Sequence, residues 1–176
     1  MRKIIYYVAS SLDGYIAGEN EDISLFAMTG AGVDQYRKDL LEFDTVIMGR
    51  KTYEFGYQYG LKAGQKAYPH MKHYIFSDTL VFEHADEGVY TEKLNLARID
   101  ALKAEAGSDI YLCGGGEFAA WLLDHGKIDV LKLKLNPILL GSGTALFGQS
   151  KTAGKLKLID AMKYEDGLQI LTYDVL

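Results

Sequence analysis

Five short segments, residues 4–9, 45–49, 73–77, 110–113 and 128–135, are largely apolar and rich in Val, Ile and Tyr. Such runs predict strands buried on both faces of a sheet, since a half-exposed strand alternates apolar and polar positions. Residues 33–43, 52–59, 96–106 and 117–125 lie between or after these runs and carry helical patterns. Asn95 stands where the third helix needs an N-cap, and Gly107 where it needs a stop.

The C-terminal part changes character. Residues 155–164 and 168–175 flank Glu165-Asp166-Gly167, and Asp-Gly is a strong hairpin-turn signal. The whole pattern predicts an α/β fold in three layers: a mostly parallel central sheet, helices on both faces and a C-terminal antiparallel hairpin. Alternation within the hairpin predicts one apolar strand face containing Leu156, Leu158, Ile170 and Thr172. That face either covers the core or forms the self-complementary patch of a symmetric homodimer.

At 176 residues the chain is read as one domain, 1–176, with no linker or repeat dividing it. Nineteen basic against twenty-four acidic side chains give a net charge of −5, which argues against nucleic acid and against an anionic membrane surface as partners. One cysteine, Cys113, makes no intramolecular disulfide. The basic, then apolar start is too short for a signal peptide, and no run approaches a membrane span. A cytoplasmic protein is the expectation.

Three glycine clusters compete for a chemical role. Gly114-Gly115-Gly116-Glu117-Phe118 follows a strand and opens a helix, where free N–H groups and the helix dipole favour a phosphate. The spacing Gly114-x-Gly116-x-x-Ala119 fits a loose dinucleotide pattern, but the carboxylate expected about 20 residues on is missing. Gly143–Ser150 mimics P-loop spacing with Gln149 in the lysine's place, and reads as a turn-rich connection. In Gly49-Arg50-Lys51-Thr52 two cations open a helix whose dipole disfavours them there; they read either as the partners of an anionic ligand, which would relieve the misfit, or as two solvated surface cations.

Residues 8–17, 46–54, 75–78, 110–118 and 135–143, taken in order, resemble the dihydrofolate reductase superfamily, including the reductase domain of bacterial riboflavin biosynthesis. The resemblance implies NADPH as cofactor. By similarity Gly49, Arg50, Lys51 and Thr52 hold its phosphates, and Ser77 and Thr79 lie near the adenosine ribose. Gly114, Gly115, Gly116, Glu117 and Phe118 wrap the pyrophosphate, while Ala9, Ile16 and Ala17 position the nicotinamide. The arginine that clamps a folate tail is replaced by Met71, which argues against folate.

Asp34 lies close to the place where dihydrofolate reductases carry the carboxylate that assists protonation. It reads either as that catalytic group or as a cap or first-turn acid of its helix. Asp13 reads as the polar residue of an Asp-Gly turn, and His70, His73, His84 and His125 as surface residues without a metal. Tyr53, Tyr57, Tyr59 and Tyr68 read as core, stacking or interface residues. The expected function is an NADPH-dependent reductase of a small pterin- or pyrimidine-like heterocycle. The alternative is a non-catalytic nucleotide-binding protein of the same fold.

Overall fold

The computed structural model describes residues 1–176. Its strands are β1 (Ile4–Ser10), β2 (Tyr15–Ala17), β3 (Thr45–Gly49), β4 (Lys72–Phe76), β5 (Val89–Glu92), β6 (Ile110–Gly114), β7 (Val130–Leu135), β8 (Thr144–Ala145), β9 (Leu156–Lys163) and β10 (Gln169–Val175). The helices are α1 (Ala31–Leu40), α2 (Arg50–Phe55), α3 (Leu96–Ala104) and α4 (Gly116–Asp124). Eight strands form one sheet in the order β5-β4-β3-β6-β1-β7-β10-β9, and β2 pairs with β8 in a separate ribbon. The strands from β5 to β7 run parallel, whereas β10 is antiparallel to both β7 and β9.

Adjacent residues explain the continuous apolar runs. Tyr6 and Tyr7 point to opposite faces of the sheet, yet both are 0% exposed. Tyr6 packs with Ile99 and Leu102 of α3 and Leu122 of α4. Tyr7 packs in the opposite cluster with Val33 and Leu40 of α1 and Tyr53 of α2. The predicted three layers are therefore present, with one hydrophobic cluster on each side of the sheet.

The hairpin forms where Asp-Gly predicts it, but its apolar face is split. Ile170 pairs with Met162, whereas Tyr173 pairs with Leu158 and Val175 with Leu156, and the register shifts between Thr172 and Tyr173. Opposite residues of an antiparallel pair share a face, so Leu156 and Leu158 lie on the other side from Ile170. Ile170 belongs to the core, while Leu156 and Leu158 are 46% and 53% exposed. The cause is position: β10 is an inner strand, and β9 is the sheet's outer edge. Lys155, Lys157 and Lys163 on or beside β9 suit an exposed edge, where charge discourages further pairing.

Other differences are local. β5, β2 and β8 are too short to give a run. α2 stops at Phe55 and continues as a 3-10 turn, Gly56–Tyr59, closed by left-handed Gly60 at φ 92°. Asn95 does cap α3, accepting the Ala97 N–H at 2.9 Å. Asp13 does more than turn the chain: its carboxylate accepts the N–H groups of Leu140 and Gly141, and this pins the two loops together.

Buried polar groups are individually satisfied. The Asp39 carboxylate accepts hydrogen bonds from Tyr7 Oη, Gln35 Nε2 and Lys132 Nζ at 2.9, 2.7 and 2.7 Å. Burial opposes its ionisation, but these donors outweigh it and hold the carboxyl below the usual range. His73, expected at the surface, is 0% exposed. Its Nε2 accepts the Tyr68 N–H at 3.1 Å, which leaves Nδ1 to donate to the Met71 carbonyl at 3.2 Å.

Burial pushes the His73 pKa down to about 4, so the folded protein prefers the neutral ring. Its stabilising contribution is complete above the unfolded pKa near 6.5 and is lost as pH falls toward 4. That interval corresponds to about 3 kcal/mol. Urea denaturation from pH 7 to 4 is expected to show a loss on this order, and His73→Gln to flatten the dependence in that window. An unchanged slope in the variant would exclude His73 as its source.

Candidate functional site

The carboxyl ends of parallel strands are where an α/β sheet leaves room for a ligand, at the point where the chain changes direction across the sheet. Here β6 lies between β3 and β1, and a cleft of 670 Å³ opens above that junction. β3 passes into α2 at Gly49-Arg50, and β6 into α4 through Gly115. Gly49, Arg50, Lys51 and Thr52 line one wall, and Gly115, Gly116, Glu117 and Phe118 another. Ile16 and Ala17 of β2, with Thr144 and Ala145 of β8, close the rim.

Close backbone approach explains the glycines. A Cβ on Gly115 would stand 2.8 Å from Thr52 Oγ1, and one on Gly49 would stand 3.4 Å from Phe118 Cβ. A Cβ on Gly116 would collide with the Ala145 carbonyl oxygen. The Gly114–Gly115 peptide is cis. Against β3, β6 carries one extra residue, since Ile47 pairs with Leu112 but Met48 with Gly114. This bulge leaves Cys113 unpaired toward β3 in the cleft wall.

Charge in the cleft is mixed. Arg50 lies 3.7 Å from the Glu54 carboxylate and donates to Thr79 Oγ1 at 3.3 Å. Lys51 makes no ion pair. No side chain caps α4, so its first N–H groups remain available to an anion. Phe76 stacks on Phe118 at 4.9 Å and Phe118 on Trp121 at 6.3 Å, giving the cleft an aromatic side. Burial pushes the Cys113 thiol up, so it is not a poised nucleophile.

The RibD C-terminal domain family model matches residues 2–170. The chain belongs to the RibD C-terminal domain family. Two uncharacterized proteins of Bacillus subtilis (strain 168) are similar: YyaP, 29% identical over 98% of this chain and 94% of its own, and YwjB, 30% identical over 96% of each. A protein named for riboflavin biosynthesis from Shewanella sp. PV-4 shares the fold at TM-score 0.81 and 24% identity, covering 100% of this chain and 99% of that one. Dihydrofolate reductase from Enterococcus faecalis, complexed with NADP(H), does so at TM-score 0.67 and 15% identity, covering 98% and 96%. These matches agree with the superfamily resemblance of the sequence.

This RibD-type domain brings most of the expected residues together. Ile16, Ala17, Gly49, Arg50, Lys51, Thr52, Gly115, Gly116, Glu117 and Phe118 all line the one cleft. Gly114 supports it from the end of β6, and Ala9 lies in β1, in register with Lys134 of β7. Ser77 and Thr79 stand beyond β4, where Ser77 Oγ accepts the N–H groups of Thr79 and Leu80. Asp34 is not brought to the site. Its side chain is 72% exposed and faces Arg37 at 3.4 Å, the position of a first-turn acid of α1. Gly30, not Asp34, is the N-cap.

Sequence reasoning missed the cleft role of the 143–149 segment. Gly143, Thr144, Ala145, Gly148 and Gln149 all line the cleft. The signal was present in Gly143 and Gly148, both at positive φ, packed against Gly18 and Glu117 respectively. Among the tyrosines, Tyr53 is core, Tyr57 and Tyr59 are exposed, and Tyr68 reaches Cys113 Sγ at 3.6 Å. No group of three or more His, Cys, Asp or Glu side chains is placed to hold a metal ion.

Gly116→Ala tests the close approach directly. Its methyl group must displace the 144–148 backbone, with an expected cost of about 1–3 kcal/mol and a lowered Tm in thermal unfolding. An unaltered Tm would mean that this contact is slack.

Proposed function

We propose that this domain is an NADPH-dependent reductase that transfers a hydride to a small pterin- or pyrimidine-like heterocycle. The observation that carries the reading is the convergence of Gly49-Arg50-Lys51-Thr52 and the triple-glycine loop on one cleft, in a chain of the RibD C-terminal family. The residues fit the cofactor, because Gly115 and Gly116 line the cleft at the uncapped N-terminus of α4, where N–H groups can meet a diphosphate. NADPH supplies the hydride when bound. Arg50 and Lys51 bind phosphate charge, the α4 N–H groups donate to the pyrophosphate oxygens, and backbone at Ala9, Ile16 and Ala17 orients the nicotinamide amide. Ser77 and Thr79 lie on the ribose side, and Thr79 holds the Arg50 guanidinium in place.

A nucleotide-binding protein without turnover is the second reading, favoured by the outward position of Asp34, which removes the expected proton donor. NADPH oxidation with a panel of pterins, folates and pyrimidines separates the two. Turnover on at least one ring other than folate is the expected result, and NADPH binding without turnover on any of them would favour the second reading.

Cofactor choice has its own test. Arg50→Ala is expected to weaken NADPH on the order of tenfold and NADH less, because a charge-assisted phosphate contact is lost. Glu54→Gln frees Arg50 and is expected to tighten NADPH a few-fold. Tighter NADH than NADPH in the unmodified protein would overturn the choice.

The free thiol of Cys113 suits a reducing compartment such as the cytoplasm. Assembly as a homodimer is proposed on the exposed Leu156, Leu158 and Ile159 of β9. Sedimentation velocity at low micromolar concentration is expected to give twice the 19.6 kDa chain mass, and a monomer unchanged by NADPH would rule this assembly out.

A further inference from the structure

Three lysines that the fold takes partly out of water are paired with carboxylates. Lys103 meets Asp129 at 2.7 Å, Lys127 meets Asp100 at 2.6 Å, and Lys132 meets Asp39 at 2.7 Å. Lys134 has no such pair, and it is the one buried lysine, 6% exposed. It lies two residues beyond Lys132 on the same face of β7 and has no carboxylate within ion-pair distance. Its Nζ donates to the Ala27 carbonyl at a long 3.3 Å and sits 5.1 Å from the centre of the Tyr36 ring. The charged neighbour that acts on it is another cation, Arg37, and together with burial this lowers its pKa. A buried cation with no counter-ion is costly, and the fold neutralises its immediate neighbour, so general stability does not account for Lys134.

Its position points to the substrate side. Lys134 is in register with Ala9, near the carboxyl ends of the strands and on the α1 face of the sheet. Tyr36 Oη lies 2.8 Å from Tyr111 Oη, the Tyr111 ring packs edge-on against Tyr68, and Tyr68 reaches Cys113 in the cleft wall. A polar strip thus runs from the ammonium group to the cleft. It contains donors and aromatic faces and no carboxylate; the one acid of α1 that is buried, Asp39, is already committed to Tyr7, Gln35 and Lys132.

We propose that Lys134 is the specificity-determining residue of the substrate side, its ammonium group holding an oxygen acceptor or anionic edge of the bound ring beside Tyr36. This rests on the reductase reading. An ammonium group has three donors and no acceptor, so it favours a ring carbonyl and rejects an amino group at the same place.

Pterin and lumazine serve as probes, because they differ in carrying an amino group or an oxygen at one ring carbon. Each is titrated into the full chain at saturating NADP⁺, and NADP⁺ is titrated separately. Lumazine is expected to bind at least tenfold more tightly than pterin. Lys134→Met is expected to weaken lumazine at least tenfold, leave pterin and NADP⁺ within twofold, and raise Tm by a few degrees. Lys132→Met, which strands Asp39, is the control and is expected to lower Tm. A pterin preference, an undiminished lumazine preference in Lys134→Met, a lowered Tm in that variant, or binding of neither ring overturns the role of Lys134. Failure of the unmodified protein to bind NADP⁺ instead overturns the reductase reading beneath it.

Discussion

Burial of both faces of the parallel strands decides where polar chemistry has room in this molecule. Tyr6 and Tyr7 lie back to back in β1, each sealed under helices, and the same holds for Val46 and Ile47 in β3. A strand in that situation has no wet side, so its ligand-binding capacity is confined to its ends. The N-terminal ends are closed by Arg2, whose guanidinium is fixed by Asp44 and the Ser108 carbonyl. The carboxyl ends stay open, and the glycines that let the flanking segments pack closely there, Gly49, Gly115 and Gly116, also line the cleft. Fold and site therefore follow from one constraint.

The pattern of apolar runs made the sheet legible, because residues such as Ile110, Leu112 and Val130 have no other reason to sit together. The elements that escaped detection are those whose stability is not their own. β5 has only His73–Phe76 to lean on along one edge, and β8 is two residues paired to β2. Their sequences carry no period because neighbours, rather than an apolar face, hold them. The hairpin face was misassigned for a related reason. Alternation predicts which side chains share a strand face, but a register shift at Thr172/Tyr173 changes how two strands combine, and no local pattern announces it.

At the site, glycine and cation signals were readable because each is a local misfit. Two cations at a helix start and three consecutive glycines both cost stability unless something compensates. Asp34 shows the limit of placing a residue by chain position alone. A shift of one residue along a helix turns a side chain by about 100°, enough to exchange a buried face for solvent, and Val33 rather than Asp34 faces the core. Lys134 escaped notice for a different reason: it stands in a run read as a buried strand from its apolar residues, and the covering α1 and 23–28 segments, which no local pattern announces, are what take its ammonium group out of water.

The cleft's charge balance bears on what it selects. Arg50 is shared with Glu54, Glu117 lines the α4 wall, and Glu21 lies on the rim, so Lys51 is the unpaired cation of the Gly49–Thr52 segment. An exposed pair such as Arg50–Glu54 is worth little in water, about 0–1 kcal/mol, and yields readily to a phosphate bearing more charge and more acceptor oxygens. Phosphate groups can therefore take Arg50 from Glu54 at small cost. A neutral ligand gains nothing by doing so. The Glu54 carboxylate thus sets a threshold that a highly charged ligand would pass and a neutral one would not, and on the far side of β1 the buried ammonium of Lys134 faces no such competitor.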